Sequence, residues 1–220
     1  MKGETTGALF PPWTTTAFRV ALASLAAVGL GVIVGPWVFV RSPLFTRQAE
    51  PVEQPIQFDH RHHVADLGID CRHCHLTAET GASAGYPATE VCMGCHSQIW
   101  SKSELLAPVR ESWFSGQPLT WRRVHQLPDF VYFNHSIHVN KGVGCVTCHG
   151  RVDQMGAVTQ NAPLTMDWCV ECHRDPTANL RPKDHMTDMA WAPLDPKKTG
   201  QEVAESLGVH TRTSCTACHR

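Results

Sequence analysis

The sequence predicts a mostly irregular domain of short α-helices, packed around cofactors instead of a hydrophobic interior and carried behind one N-terminal transmembrane helix. Three observations predict it. The ten cysteines of this 220-residue chain fall without remainder into five Cys-x-x-Cys-His motifs: Cys71 to His75, Cys92 to His96, Cys145 to His149, Cys169 to His173 and Cys215 to His219. Past residue 40 only about 36 residues remain for each motif, too little chain for an ordinary core per site. Val20 to Val40 carries no charged residue and, at 1.5 Å per residue, reaches ~31 Å, about one hydrocarbon core.

Cys-x-x-Cys-His is the spacing by which two thiols on one short turn bond the vinyl groups of a haem while the next residue reaches its iron. Five covalently attached c-type haems follow. Their attachment residues are Cys71, Cys74, Cys92, Cys95, Cys145, Cys148, Cys169, Cys172, Cys215 and Cys218, and the proximal ligands are His75, His96, His149, His173 and His219. Zinc also suits paired Cys-x-x-Cys with histidine, but it would leave an odd fifth half-site and no use for the histidine after each motif. A dithiol redox motif is normally single and set in a βαβ pattern. A formal charge of −1 and a pI near 6.9 give no sign of a nucleic-acid partner, and haem propionates would make the loaded protein more acidic.

In chain order, residues 1–16 form a short polar tail with Pro11, Pro12 and Trp13 ahead of the apolar run. Residues 17–40 form the membrane helix, with Trp13 and Trp37 near its ends, where indoles prefer the headgroup level. A cleaved signal peptide is the competing reading; the run is too long for one and no small-residue cleavage site follows cleanly. Ala23, Ala27, Gly31 and Gly35 recur every fourth residue, a stripe that either admits another helix closely or reflects ordinary membrane-helix composition. Residues 41–57, with Pro43, Pro51 and Pro55, read as an extended linker lifting the rest off the membrane.

Residues 58–96 are the first dihaem unit, with the stretch from Thr77 to Val91 expected as loop. In the connecting segment 97–132, Gln98 to Glu111 could hold a short helix limited by Pro108. Trp113, Phe114 and Trp121 are expected to pad haem faces. Residues 133–173 are the second dihaem unit. Phe-x-His-x-x-His-Val opens both units, and Pro163-Leu164-Thr165 matches Pro87-Ala88-Thr89, so an internal duplication is expected. Residues 174–220 form an arm with one short helix, Glu202 to Leu207, closed by Gly208, and end in the fifth haem site.

Fourteen histidines less the five in motifs leave His60, His62, His63, His73, His125, His135, His138, His185 and His210. Histidines three apart lie on one side of a helical turn but not at one point, so His60 and His63 serve different haems, as do His135 and His138. These four, with His125 as the fifth, are the expected distal ligands. His73, between its two cysteines, faces away from the iron, and His62 is flanked by better-placed neighbours; His185 and His210 read as exposed polar or propionate-binding residues and stay open as replacements for one of the distal ligands. Met155, Met166 and Met189 stay open as thioether ligands that would raise one potential, against the plainer reading of core methionines.

The paired Phe-x-His-x-x-His and Cys-x-x-Cys-His blocks resemble multihaem cytochromes c of the class III type. One N-terminal transmembrane helix, five motifs and the run VHQLPDFVYFNHSIHVNKGVGCVTCHGRVDQM resemble more closely the membrane-anchored pentahaem cytochrome c subunits of bacterial alternative complex III. That resemblance implies an electron-transfer subunit with no catalytic site of its own. It would relay electrons from quinol, oxidised in quinone-binding integral-membrane subunits, to a periplasmic monohaem cytochrome c or copper protein. An iron-sulfur, molybdopterin-oxidoreductase-like subunit would complete the assembly. Lys2 and Arg19 at one end of the helix and Arg41 and Arg47 at the other decide little about orientation. The resemblance to c-type cytochromes implies a single-pass protein of the inner membrane with its haem domain on the periplasmic face. Two other functions fit parts of the pattern: a self-sufficient membrane-anchored quinol dehydrogenase, and a catalytic multihaem reductase. The latter needs an iron with an open position, often marked by an altered motif.

Overall fold

The computed structural model describes residues 10–219; positions 1–9 of the expected tail, Lys2 among them, lie outside the described residues. Its contacts divide the chain into one unit ending at Thr46 and another beginning at Arg47. In the first, α1 spans Pro12–Phe39 and is long and apolar enough to cross a membrane. The helix starts earlier than the apolar run because Pro11 and Pro12 begin it: a proline in the first turn lacks only an N–H that has no helical acceptor anyway. Pro36 lies inside the last turns, and the Arg41 guanidinium stacks 4.5 Å over the Trp37 ring. A single turn, α2 (Pro43–Thr46), follows, with Phe39 and Phe45 packed edge to face at 5.7 Å.

The expected free linker 41–57 is corrected by its second half. Gln48 and Pro51 form isolated bridges with Gln160 and Thr159, the Gln48 amide donates to Asn161 O at 2.7 Å, and Gln54 exchanges two 2.9 Å bonds with the backbone of Arg122. Residues 47–57 are thus stitched into the second unit. Proline-rich chain without period reads as free until its distant partners are known.

The second unit is built from short helices: α3 (Cys71–Cys74), α4 (Thr89–His96), α5 (Ala107–Ser115), α6 (His135–Asn140), α7 (Cys145–His149), α8 (Met166–Arg174) and α9 (Pro196–Leu207). Among the described residues there is no strand, only three isolated bridges. The buried apolar side chains are Val109, Ala162, Leu180, Met186 and Val203, far too few to hold so much chain by burial alone.

Pro108 opens α5 instead of limiting it, and Ser112 ties α5 to α4: Thr89 donates to Ser112 Oγ at 2.6 Å, and Ser112 donates to Gln117 O. Helix α9 begins six residues before the expected Glu202, because Asp195 caps it by accepting from Lys198 N at 3.0 Å and Pro196 fills its first position. It ends as expected at Gly208, whose φ of 58° is left-handed. The Lys141 ammonium, 2.6 Å from Leu207 O, satisfies a terminal carbonyl there.

The two halves expected as a duplication dock on each other reciprocally. His60 N donates to Met155 O, six residues past His149; Ser136 N donates to Gly81 O, six residues past His75. His135 N donates to Ala82 O as well, and side chains repeat the exchange, Gln57 to Gly156 O and Asn140 to Glu79 O. Each half's Phe-x-His-x-x-His arm lies on the loop that follows the other half's first motif.

Candidate metal centres

Every Cys-x-x-Cys segment folds as a helical turn, which turns both thiols to one side and carries the following histidine across it: α3, the end of α4, α7, α8, and a 3-10 turn at Cys215–Ala217. Asp70 shows how one turn is fixed. Its carboxylate accepts from Arg72 N at 2.9 Å, grips the Arg72 guanidinium at 2.8 and 3.0 Å, and accepts from Thr187 Oγ1 at 2.7 Å. The arginine bond, with Thr187 assisting, holds Asp70 at about 2, well below the usual carboxylate range. Next to Thr187, Met186 O accepts from Cys145 N at 3.2 Å, so Asp70 and its α3 turn are linked to the start of α7.

The upstream arms repeat each other in detail. Phe58 stacks on His63 at 4.2 Å and Phe133 on His138 at 4.5 Å; the same rings stand edge-on to His60 at 4.7 Å and His135 at 6.1 Å. Each phenyl ring separates the two imidazoles of its arm, which is why they face different partners. His63 stands 6.2 Å from His96, His138 stands 5.9 Å from His173, and His135 stands 6.4 Å from His149, ring centroid to ring centroid. No ring contact joins His60 to His75, but after burial His75 is the strongest neighbour in taking His60 down to about 4.

Whether these residues fit a haem can be tested on the ring nitrogens. Nδ1 of His63, His75, His96, His135, His138, His173 and His219 each lies 2.8–3.0 Å from a backbone carbonyl oxygen, those of Asp59, Gly85, Ile99, Ala78, Asn134, Arg212 and Phe130 respectively. A carbonyl can only accept, so the proton sits on Nδ1 and the Nε2 lone pair is free, as a metal-ligating histidine requires. His62 and His185 instead face carboxylates, of Asp66 at 3.7 Å and Asp188 at 3.9 Å. Burial disfavours the charged form of three rings: His149 is pushed down to about 3, with His125, His135, His75 and His60 adding to the effect, and burial lowers His138 and His125 as well. His60 Nδ1 and His125 Nε2 are buried without a protein partner, a costly state unless a further group meets them. Among the described residues no three His, Cys, Asp or Glu converge as bare zinc would need.

His125 is placed differently from the other candidates. Its ring lies 4.3 Å from His149 at 74°, too close for a metal ion between them, while the ring beside His219 is that of Phe130 at 5.8 Å. Two metal–nitrogen bonds of about 2 Å plus two ring radii put facing imidazoles about 6 Å apart. Sequence reasoning missed the carbonyl acceptors, Thr187 and the separating role of Phe58 and Phe133; only the two phenylalanines left a signal, their fixed place in both arms.

The thiols of different motifs act on one another electrostatically. Burial raises Cys71 to about 11, with Cys145 as the next contributor, and raises Cys74 with Cys92 adding to it. Burial takes Cys148 to about 12, reinforced by Cys172 and Cys169, and burial and Cys218 raise Cys169. Of the ten cysteines, Cys95 and Cys215 are the exposed ones.

Residues 131–220, which hold three of the five motifs, match the family model described as cytochrome c7 and related cytochrome c. The multiheme cytochrome c subunit of menaquinone reductase from Nitratidesulfovibrio vulgaris is 38% identical over 125 residues, which cover 56% of this chain and 56% of that protein. The chain therefore spans little more than half the length of the relative it matches.

Proposed function

We propose that this chain is a membrane-anchored pentahaem c-type cytochrome that relays electrons between a quinone-reactive membrane complex and a periplasmic carrier. The observation that carries it is the set of histidine pairs His63 with His96, His138 with His173 and His135 with His149, spaced at 5.9–6.4 Å for one metal ion between two imidazoles. His60 with His75 completes the set by the duplication. Each haem, when bound, supplies one-electron exchange at its iron. The protein's own residues hold it: ten cysteines fix the ring edges, Nδ1 bonds to carbonyls set each imidazole's rotation, and Phe58 and Phe133 keep neighbouring ligands apart.

Helix α1 is the anchor, and α1 is also the element on which integral-membrane subunits would dock. The resemblance noted above supports a complex of the alternative complex III kind, oxidising quinol in neighbouring subunits and passing electrons to a monohaem cytochrome c or copper protein. A second reading of direction rests on the relative's name, menaquinone reductase, and has electrons flowing from a periplasmic donor toward menaquinone. Mass spectrometry of the isolated chain with a pyridine haemochrome assay tests the cofactor count; a mass equal to the amino acids alone would end the proposal. Assays of the purified complex with a menaquinol analogue, and separately with a reduced periplasmic cytochrome, decide the direction.

A further inference from the structure

We infer that the five attachment motifs stand in a single file whose spatial order is second, first, third, fourth, fifth, so that outside partners exchange electrons at Cys92 to His96 and at Cys215 to His219. This rests on the haem reading above and adds the route. The link between second and first motifs is the arm from Phe58 to His63: one phenyl ring lies between the imidazole facing His96 and that of His60, and Ile69 N, two residues before Cys71, donates to His63 O at 3.0 Å. The equivalent arm from Phe133 to His138 joins third and fourth, reaching His149 and His173. First and third are brought together by the reciprocal docking of the halves and by the path from Asp70 through Thr187 and Met186 to Cys145. Fourth and fifth are joined at both sides of the last motif: Arg212 O accepts from His173 Nδ1, and Tyr132 N, next to the Phe133 that stacks on His138, donates to Cys218 O.

Exposure agrees with this order. The two exposed attachment cysteines, Cys95 and Cys215, belong to the motifs at the ends, whereas no residue of the third motif, in the middle, is exposed. A file in chain order would put the first motif at an end and the second inside. One electron leaves a donor at one end for each one given to an acceptor at the other, and no bond in this chain forms or breaks.

An electron-microscopy map of the haem-loaded protein in its membrane complex tests the order directly. The shortest edge-to-edge gaps should join second to first, first to third, third to fourth and fourth to fifth; a second haem nearer the third than the first would overturn the inference. Variants give an independent check. Removing the second site (Cys92→Ala with Cys95→Ala) should alter the midpoint and EPR signal of one remaining haem, while removing the first (Cys71→Ala with Cys74→Ala) should alter two. The reverse pattern refutes the order, provided that each variant keeps its other haems; if maturation fails, the map decides. Absence of any haem would sink the haem reading itself, and five haems in another order would sink only this route.

Discussion

Replacing Gly200 with alanine is a sharp test of how the C-terminal arm supports the cofactor sites. Gly200 is buried in α9 against the 3-10 turn Thr177–Asn179. An ideal Cβ there would stand 2.5 Å from the Thr177 carbonyl carbon and closer still to its oxygen. The obstacle is backbone, so no rotamer change relieves it. Nor can α9 slide away freely, because Lys141 holds its last turn and Gly142 abuts Val203. The turn must give instead, and it carries Asn179, whose amide lies 3.5 Å from Cys172 Sγ and whose carbonyl accepts from Gly144 N, one residue before Cys145. Overpacking typically costs about 1–3 kcal/mol, and an immovable neighbour places this case at about 2–3 kcal/mol. For a chain of this size each kcal/mol lowers the melting temperature by about 2–4 °C, so Gly200→Ala should melt about 4–12 °C lower, followed by Soret circular dichroism of the haem-loaded protein. Gln201→Ala, at an exposed position of the same helix, is the control and should melt within about 2 °C of the parent. A Gly200→Ala melt indistinguishable from that control would refute the close-packing account of α9.

Three further outcomes follow from the geometry. His138→Ala should convert one haem from low to high spin in the ferric EPR spectrum, and His138→Met should restore six-coordination with a raised midpoint for that haem alone; an unchanged spectrum would remove His138 from the ligand set. The Asp70 carboxyl, held near 2 against an ordinary 3.8, stabilises the fold fully above its ordinary pKa, and that contribution is lost as pH falls through about 2. Asp70→Asn should therefore flatten the dependence of melting temperature on pH between about 4 and 2, and equal slopes in parent and variant would count against the role given to this cap. Gly31→Leu with Gly35→Leu should release the cytochrome from its membrane partners in detergent, if the small-residue face of α1 is where another helix packs; undiminished co-purification would show that it is not.

The local turns were legible in the chain and the contacts that topology creates were not. Cys-x-x-Cys-His spacing anticipates a turn that brings its side chains to one side, and the structure sets each motif on a helical turn. The arms read as a repeat, because the Phe-x-His-x-x-His pattern of His60 and His63 recurs at His135 and His138. Pro108 reads as a limit and is a start, since proline signals both and only the downstream residues of α5 decide. Helix α9 is longer than its sequence pattern suggests because Asp195-Pro196 is as good an opening signal as Gly208 is a closing one. The docking of residues 47–57 and the placement of His125 beside His149 depend on partners far away in sequence. The carbonyls that orient seven imidazoles have no residue-type signature, because every residue has one.

The exchange of arms between the halves also bears on how the chain matures. Synthesis runs from the N-terminus, and domains close as their pieces emerge. His60 rests on the carbonyl of Met155, so the earliest binding site must wait, uncapped, for a loop made much later. Until that later loop has emerged, the arm ahead of Cys71 and Cys74 has nothing to rest on, and the first half closes only when the second arrives.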